Sequence, residues 1–383
     1  MSKPHILLLS DWFPPAYKAG GPIRSCVNFT YAMRKRYRIS VLTSDRDLGS
    51  KTPLEKIEVN QWQAFSEGVE VCYLSPEWQN RRKLQELIQE RQADFLYLNS
   101  MFSLPFTILP LRLKQKGKIE AKVILAPRGM LKEETLASKA YKKTPFLMIL
   151  RWVKIHQWVR FQATNQQEVE DIQRTIHPKA DIVKVGNWPE ARQESWNRLQ
   201  KEKGTARWVL IARIAWVKNL EYLFERLKNF PLPFELDIFG PMEDPAYWEK
   251  CQAILKQCPP HIKVTWQGQL PNEEIRERLS QYHFFVLPTH GENFGHAIFE
   301  SLQMGKPVLI SHNTPWQQLE AQAVGWDIHF DQKDKWLKAL TQAVEMDQET
   351  YDRWSQNAWQ YAANYLQNAE LAEKYEQLFS SKS

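Results

Sequence analysis

Two glutamates, Glu292 and Glu300, stand eight residues apart in the stretch PTHGENFGHAIFESLQMGKPVLIS (288–311). Gly291, Asn293, Phe294, Gly295 and His296 surround the first of them, and a helical pattern carries the second. Glycines let backbone approach a ligand closely, and a helix N-terminus offers free N–H groups to an anion. Eight residues along a helix rotate by about 80°. The two carboxylates therefore serve two points of one extended ligand. The bland alternative is a turn followed by a helix with solvated glutamates. Phe299 and Leu302 beside Glu300, and a loop with two glycines and an asparagine, weigh against it. A second set lies in LIARIAWVKNLEYLFERL (210–227), where Arg213 ends a strand-like run and Lys218 opens a helical one. Two cations at one strand end can hold a diphosphate, the guanidinium as a fork and the ammonium as a point charge. Alone this pattern is weak, because cations in such loops are commonly solvated.

Other candidate chemistry carries less. Asp45-Arg46-Asp47 is an Asp-x-Asp after a strand-like run, a context that suits a metal, but it is equally a piece of polar loop. With Arg213 and Lys218 placed to neutralise a diphosphate, no metal and no other cofactor is expected. His290 and His296, six apart around a loop, do not have a chelating spacing; they read as polar loop residues, with His296 near the ligand. Cys26, Cys72, Cys251 and Cys258 are few and scattered, as ordinary thiols of a reducing compartment are.

The elements that must position these groups recur as short apolar runs followed by longer amphipathic stretches. One series is 5–10, 38–45, 69–75, 94–100 and 121–129; a second is 208–214, 234–240, 263–268, 283–290 and 306–311. Continuous apolar runs of this length suit parallel strands buried on both faces. Two such series predict two doubly wound α/β domains. The polar stretch GNWPEARQESWNRLQKEKGTAR (186–207) reads as the linker, and the aromatic-rich helical pattern at 354–379 needs a surface to cover. The expected division is 1–188, 189–358 and a C-terminal helix over 359–383 that crosses back to the first domain.

A chain of 383 residues, 43% hydrophobic with 16 Trp, can fill two large cores. No stretch has the roughly 20 uninterrupted apolar residues of a membrane span, so a cytoplasmic, non-integral protein is expected. Charge is uneven. Residues 1–190 hold 30 Lys and Arg against 19 Asp and Glu, a net +11, and the remainder holds 21 against 25, a net −4. The first half therefore suits an anionic partner. No nucleic-acid-binding module is legible, so nucleic acid is not expected. LASKAYKKTPFLMILRWVKIHQWVRF (136–161) has six cations and no acid. Either this face lies on an anionic membrane, with Lys142 and Lys143 exposed toward it, or it is a core helix with a basic solvated side.

Arg213, Lys218, Gly240 after a strand, Gly268 and the 288–311 stretch together resemble the C-terminal domain of family-4 retaining glycosyltransferases of the GT-B fold, whose EX7E motif matches Glu292 to Glu300. FPPAYKAGGPIRS (13–25) resembles their first glycine loop. APRGML (126–131) and FQATNQQEVEDI (161–172) are similar to segments of a bacterial branch associated with surface polysaccharide assembly. Two departures are Gln162, where a histidine is expected, and His296-Ala297, where many relatives are apolar. The resemblance implies two Rossmann-like domains facing a central cleft and a nucleoside-diphosphate sugar, UDP- or GDP-linked, as donor. It places Glu300 on the ribose and Glu292 on the transferring sugar, with the N–H groups of Asn293, Phe294, Gly295 and His296 on sugar hydroxyls and phosphate. Arg213 and Lys218 would stabilise the departing diphosphate, with Gly240 and Gly21 also on the donor and Gly20 and Arg128 on the acceptor side. Transfer would retain configuration, by front-face attack, to a glycan or lipid-linked acceptor. The charge split and the acid-free stretch 136–161, rather than the resemblance, are what suggest a cytoplasmic protein peripheral on the inner face of the membrane. A sugar-nucleotide-binding protein or an epimerase-type enzyme on the same fold is the alternative.

Overall fold

The structure is a computed structural model that describes residues 3–137, 140–191, 195–367 and 369–380. The chain forms two compact units, Met1–Glu190 with Ala369–Ser383, and Ala191–Asn368. Each is a Rossmann-like parallel sheet with helices between its strands.

Unit 1 holds strands β1 (His5–Leu9), β2 (Arg38–Ser44), β3 (Trp62–Ser66), β4 (Val69–Leu74), β5 (Phe95–Leu98), β6 (Lys122–Leu125), β7 (Val159–Ala163) and β8 (Asp181–Lys184). Its helices are α1 (Gly21–Met33), α2 (Arg81–Arg91), α3 (Leu109–Gln115), α4 (Glu133–Ala137), α5 (Ala140–Trp152) and α6 (Gln166–Thr175). The strand order is β3-β4-β2-β1-β5-β6-β7-β8. All neighbours run parallel except β3, which pairs antiparallel with β4 at the edge. Unit 2 holds β9 (Arg207–Ile211), β10 (Phe234–Phe239), β11 (Ile262–Trp266), β12 (Phe284–Leu287), β13 (Val308–Ser311) and β14 (Gly325–Ile328), wholly parallel in the order β11-β10-β9-β12-β13-β14. Its helices are α7 (Leu220–Leu227), α8 (Pro245–Leu255), α9 (Ile275–Ser280), α10 (His296–Gln303), α11 (Lys333–Glu345) and α12 (Gln348–Leu366).

Burial follows from the runs. In β1, Leu7 and Leu9 join one core cluster of unit 1 while Ile6 and Leu8 join another, the signature of a strand covered on both faces. Each of the ten apolar runs overlaps a strand. The strands without such a run are β3, β7, β8 and β14. β3 and β8 are edge strands of partly exposed residues, and β7 carries a buried Gln162 among its apolar residues. Gln162, where the resemblance expected a histidine, accepts from the Tyr97 hydroxyl and donates to the Val185 carbonyl (3.0 Å) and the Tyr375 hydroxyl (3.1 Å).

Two expectations on organisation shift. The polar stretch 186–207 is not all free linker. Trp196 donates its indole N–H to Ser355 Oγ (2.9 Å), and Lys201 donates to the carbonyls of Val344 and Met346 (3.0 Å each), all within unit 2. Burial lowers the Lys201 ammonium to about 8. The return to unit 1 starts at Ala369 rather than at 359. The reason is packing: α12 stays on unit 2, with Trp354 against Trp326 at 4.6 Å and Tyr351 against Phe284 at 5.5 Å. From there α13 (Ala369–Leu378) joins unit 1. Tyr375, Leu378 and Phe379 are buried among Ile6, Leu8, Phe29 and Tyr97. Phe379 meets the rings of Phe29, Tyr37, Phe95 and Tyr97 at 5.4–5.6 Å.

The end of α13 is thus part of the first unit's core. Phe379→Ala should destabilise the protein by about 3–5 kcal/mol, the range for truncating a buried aromatic. Urea unfolding followed by circular dichroism measures it, and an unchanged midpoint would contradict the packing described.

Candidate functional site

In unit 2 the strand order reverses at β9, whose neighbours β10 and β12 lie on opposite sides. Connections leaving a parallel sheet at such a point diverge to opposite faces, and ligands bind at the carboxyl ends of the strands there. The loops in question follow β9 and β12, and they carry Lys218 and Glu292. After β9 the chain makes a short 3-10 turn, Trp216–Lys218. The Val217 carbonyl accepts from the His290 N–H (2.8 Å) and the Thr289 hydroxyl (3.1 Å), which fastens the two loops together. The Glu292 N–H donates to the Asn313 carbonyl beyond β13 (3.2 Å). With both loops fixed, Lys218 Nζ donates to Glu292 Oε1 at 2.6 Å, and the two side chains are only 12% and 15% exposed.

Arg213 and Lys218 therefore do not stand as a bare cationic pair. Arg213 is paired with Glu243, from the loop after β10, and both are partly exposed. Each cation keeps capacity for an anion, since an ammonium has three N–H donors and a guanidinium five. Trp216, between them, is half-exposed and has its ring 5.4 Å from that of His290.

Gly240 ends β10 at φ 148°, where a Cβ would lie 1.9 Å from the Ala212 carbonyl oxygen. Its N–H donates to the Gly268 carbonyl (2.8 Å), and its carbonyl accepts from the Trp266 indole (3.0 Å). The loops after β9, β10 and β11 are thus drawn together over one glycine. Gly295 caps α10 at φ 78°. Phe294 is buried against Phe299 and Trp316, so its side chain anchors the loop and only its backbone can meet a ligand. Asn293 is half-buried, and His296 opens α10 with its ring 4.8 Å from that of Phe294. Glu300 is buried at mid-helix.

In unit 1 the order reverses at β1, between β2 and β5. Gly20 caps α1 at φ 64° and Gly21 begins it. The Asp47 carboxylate accepts from the N–H groups of Tyr17 (3.0 Å), Lys18 (3.2 Å) and Leu48 (2.7 Å), so this aspartate of the Asp-x-Asp ties down the glycine loop. Burial raises the pKa of Asp45, whose side chain lies 3.5 Å from Arg46. Among the described residues no group of three or more His, Cys, Asp or Glu is arranged to hold a metal ion. Arg128, at φ 56°, spends its guanidinium on Asn187, the Tyr97 hydroxyl and Asn99, a polar network of unit 1.

Three groups escape the sequence reading. Asp11, two residues past the end of β1, accepts from the Ser103 hydroxyl at 2.6 Å and so bridges the carboxyl ends of β1 and β5. Burial raises its pKa, against the pull of Ser103 and Ser100. Its signal was its place, the first acid after an apolar run. Glu168 is buried and accepts from Gly129 N–H (2.6 Å) and from the N–H and hydroxyl of Thr164 (2.7 Å each), joining the loops after β6 and β7. Asn165, three residues earlier, accepts from the Glu168 N–H (2.9 Å); this capping-box spacing was readable. Glu243, the partner of Arg213, had no local signal.

Comparison with known proteins bears on both units. Residues 191–361 match the family model described as glycosyl transferases group 1. No curated protein sequence matches the chain. Among solved structures, sucrose-phosphate synthase from Thermosynechococcus elongatus is 16% identical with a TM-score of 0.70, over 98% of this chain and 99% of that one. HepE from Anabaena, in complex with UDP and glucose, is 14% identical with a TM-score of 0.68, over 97% and 99%. WaaG, a glycosyltransferase involved in lipopolysaccharide biosynthesis, is 14% identical with a TM-score of 0.64, over 98% and 100%. The whole chain thus has the GT-B fold of two Rossmann-like units.

The glycine at the end of β10 offers a direct check of this site. Gly240→Ala forces a Cβ onto the Ala212 carbonyl at a backbone angle that L side chains rarely adopt. It should cost about 2 kcal/mol or more. Thermal unfolding measures it, and a variant as stable as the parent would contradict the close approach.

Proposed function

We propose that this protein is a retaining glycosyltransferase that moves a sugar from a UDP- or GDP-sugar to a glycan or lipid-linked acceptor, in surface polysaccharide assembly on the cytoplasmic side of a membrane. The observation that carries the reading is the Lys218–Glu292 pair at the strand-order reversal of the unit that matches the group 1 glycosyl transferases. The UDP and glucose held by HepE give the donor class a precedent on the same fold.

In this reading Lys218 and Arg213 meet the diphosphate, where negative charge grows as the glycosidic bond breaks. Fixed cations at that point act on the transition state rather than on the bound substrate. The N–H groups of Asn293, Phe294, Gly295 and His296 at the start of α10 complete the anion site. Glu292 receives hydroxyls of the transferring sugar while it orients Lys218. Glu300 receives the ribose hydroxyls, and Gly240 keeps the loop after β10 close to the donor. On unit 1, Gly20 and Gly21 present backbone to donor and acceptor. Arg128 acts as a positioning residue, because its guanidinium already binds Asn187, Tyr97 and Asn99. Two cations on the diphosphate make a metal unnecessary, and attack from the leaving-group face explains retention without a second nucleophilic carboxylate.

Three outcomes follow. UDP or GDP should raise the thermal midpoint, since a ligand that binds only the folded chain stabilises it. Glu300→Gln should reduce that shift without lowering the midpoint of the free protein; an unchanged shift would remove the ribose assignment. With the donor so identified, Lys218→Ala should slow turnover on the order of 100-fold, and the parent enzyme should keep its rate in excess EDTA. A strict metal requirement would return the Asp45 and Asp47 pair to consideration, and epimerised donor without transfer product would replace the reaction class.

A further inference from the structure

Helix α5 (Ala140–Trp152) is apolar on two sides, and among the described residues protein covers only one. Leu147 and Leu150 are buried in the core of unit 1, with Phe146 and Val153 packed beside them. On the other side Tyr141, Met148, Ile149 and Trp152 are 73%, 61%, 52% and 82% exposed. Together with the exposed Pro145 they stand at i, i+4, i+7, i+8 and i+11, one stripe of a helix. A helix that is hydrophobic all round belongs in a core or against lipid.

The charges around the stripe choose between occupants. Residues 136–161 contain six Lys and Arg and no Asp or Glu. Arg151, beside Trp152, donates to the carbonyls of Thr175 (2.6 Å) and Arg174 (2.8 Å), bonds that fix the guanidinium without cancelling its charge. Lys154 is exposed just past the helix end. Among the described carboxylates nearby, Glu133 and Asp171 are both paired with Arg174. Lys143, expected from the sequence to face outward, instead donates to the Thr135 carbonyl and lies 5.4 Å over the Phe102 ring. The side chain of Lys142 lies outside the described residues. The outward surface is therefore the apolar stripe with cations at its Trp152 end, rather than a lysine patch. A 13-residue helix is about 20 Å long and about 10 Å wide. Its one face is far short of the roughly 800 Å² per partner that a stable protein interface buries. A lipid surface has no such threshold. It favours Trp and Tyr at headgroup level, aliphatic side chains below them and cations among anionic headgroups.

We propose that this stripe of α5 seats unit 1 on an anionic bilayer surface, with Tyr141 and Trp152 at the headgroups, Met148 and Ile149 in the acyl boundary, and Arg151 and Lys154 among the phosphates. Among the described residues no helix is long and apolar enough to cross a membrane, so the contact lies on the surface rather than through it. Helices α4 and α5 follow the loop at the carboxyl end of β6, the end of the sheet where substrate groups collect. The proposal stands on α5 and does not depend on the transferase reading.

The test is co-sedimentation of the full chain with vesicles of phosphatidylcholine alone and with 30 mol% phosphatidylglycerol. Binding to the anionic vesicles should be about 30-fold tighter, given roughly fivefold for each of the two basic side chains near the surface, and should weaken as salt shortens the screening length. Met148→Ser/Trp152→Ser should lose about tenfold or more, the effect of withdrawing two large apolar side chains from lipid. Lys154→Glu should lose the preference for anionic vesicles. All three side chains face solvent, so these variants should keep the parent's thermal midpoint and its nucleotide-induced shift; if the double variant fails to fold, Ile149→Ser carries the same expectation. Vesicle binding untouched by either the apolar or the charge change would overturn the proposal. So would failure to bind vesicles combined with a self-association that the double variant abolishes, which would assign the stripe to a second copy of the chain.

Discussion

The reversal of strand order at β9 governs the site in unit 2. A parallel strand must be followed by a crossover, and crossovers have one hand. Strands added on opposite sides of β9 therefore send their helices to opposite faces of the sheet. The loops after β9 and β12 meet at the carboxyl edge of the sheet, between the two diverging connections. Lys218 and Glu292 occupy that position, 74 residues apart in sequence and 2.6 Å apart in space. The backbone bond from His290 to Val217 and the hydroxyl bond from Thr289 to the same carbonyl fix the loops before any ligand arrives. Because the pair is mostly buried, removing one partner strands the other's charge in a poorly solvated place. That makes the pair costly to disturb and well suited to hold a fixed geometry.

The same rule acts in unit 1, where the order reverses at β1. The groups gathered there differ in kind. Asp11 and Ser103 join the two strand ends at the reversal, Asp47 secures the glycine loop through the N–H groups of Tyr17 and Lys18, and Glu168 binds the loops after β6 and β7 to each other. Unit 1 thus offers carboxylates, hydroxyls and backbone groups, and unit 2 offers cations with paired carboxylates. The proposed division into an acceptor side and a donor side follows that chemistry: phosphates require cations, and sugar hydroxyls require hydrogen-bond acceptors and donors.

Much of this was legible in sequence where local pattern decides structure. Runs such as HILLLS and HFFVLP fold as strands because a covered parallel strand needs apolar residues on both faces. Gly295 marks the start of α10, and Gly240 marks a backbone approach that no other residue allows. What sequence hid is mostly what arises between distant segments. The partner of Arg213 is Glu243, and the partner of Lys218 is Glu292; spacing shows neither. Strands β7 and β8 lack a long apolar run, because β7 buries a hydrogen-bonded glutamine and β8 is a partly exposed edge. The stretch 136–161 was readable as basic, but which of its side chains face outward depends on how α5 packs. The outward face proved apolar, with Tyr141, Met148, Ile149 and Trp152 exposed.

The central claim is that Lys218 and Glu292 work as one unit in sugar transfer. A double-mutant cycle on kcat/KM with Lys218→Ala, Glu292→Ala and the double variant tests it most directly. Residues that act together are strongly non-additive. The account predicts that each single change lowers kcat/KM on the order of 100-fold, and that the double variant falls little further than either alone. Losses that multiply to about 10,000-fold, or a single variant that retains full activity, would contradict it.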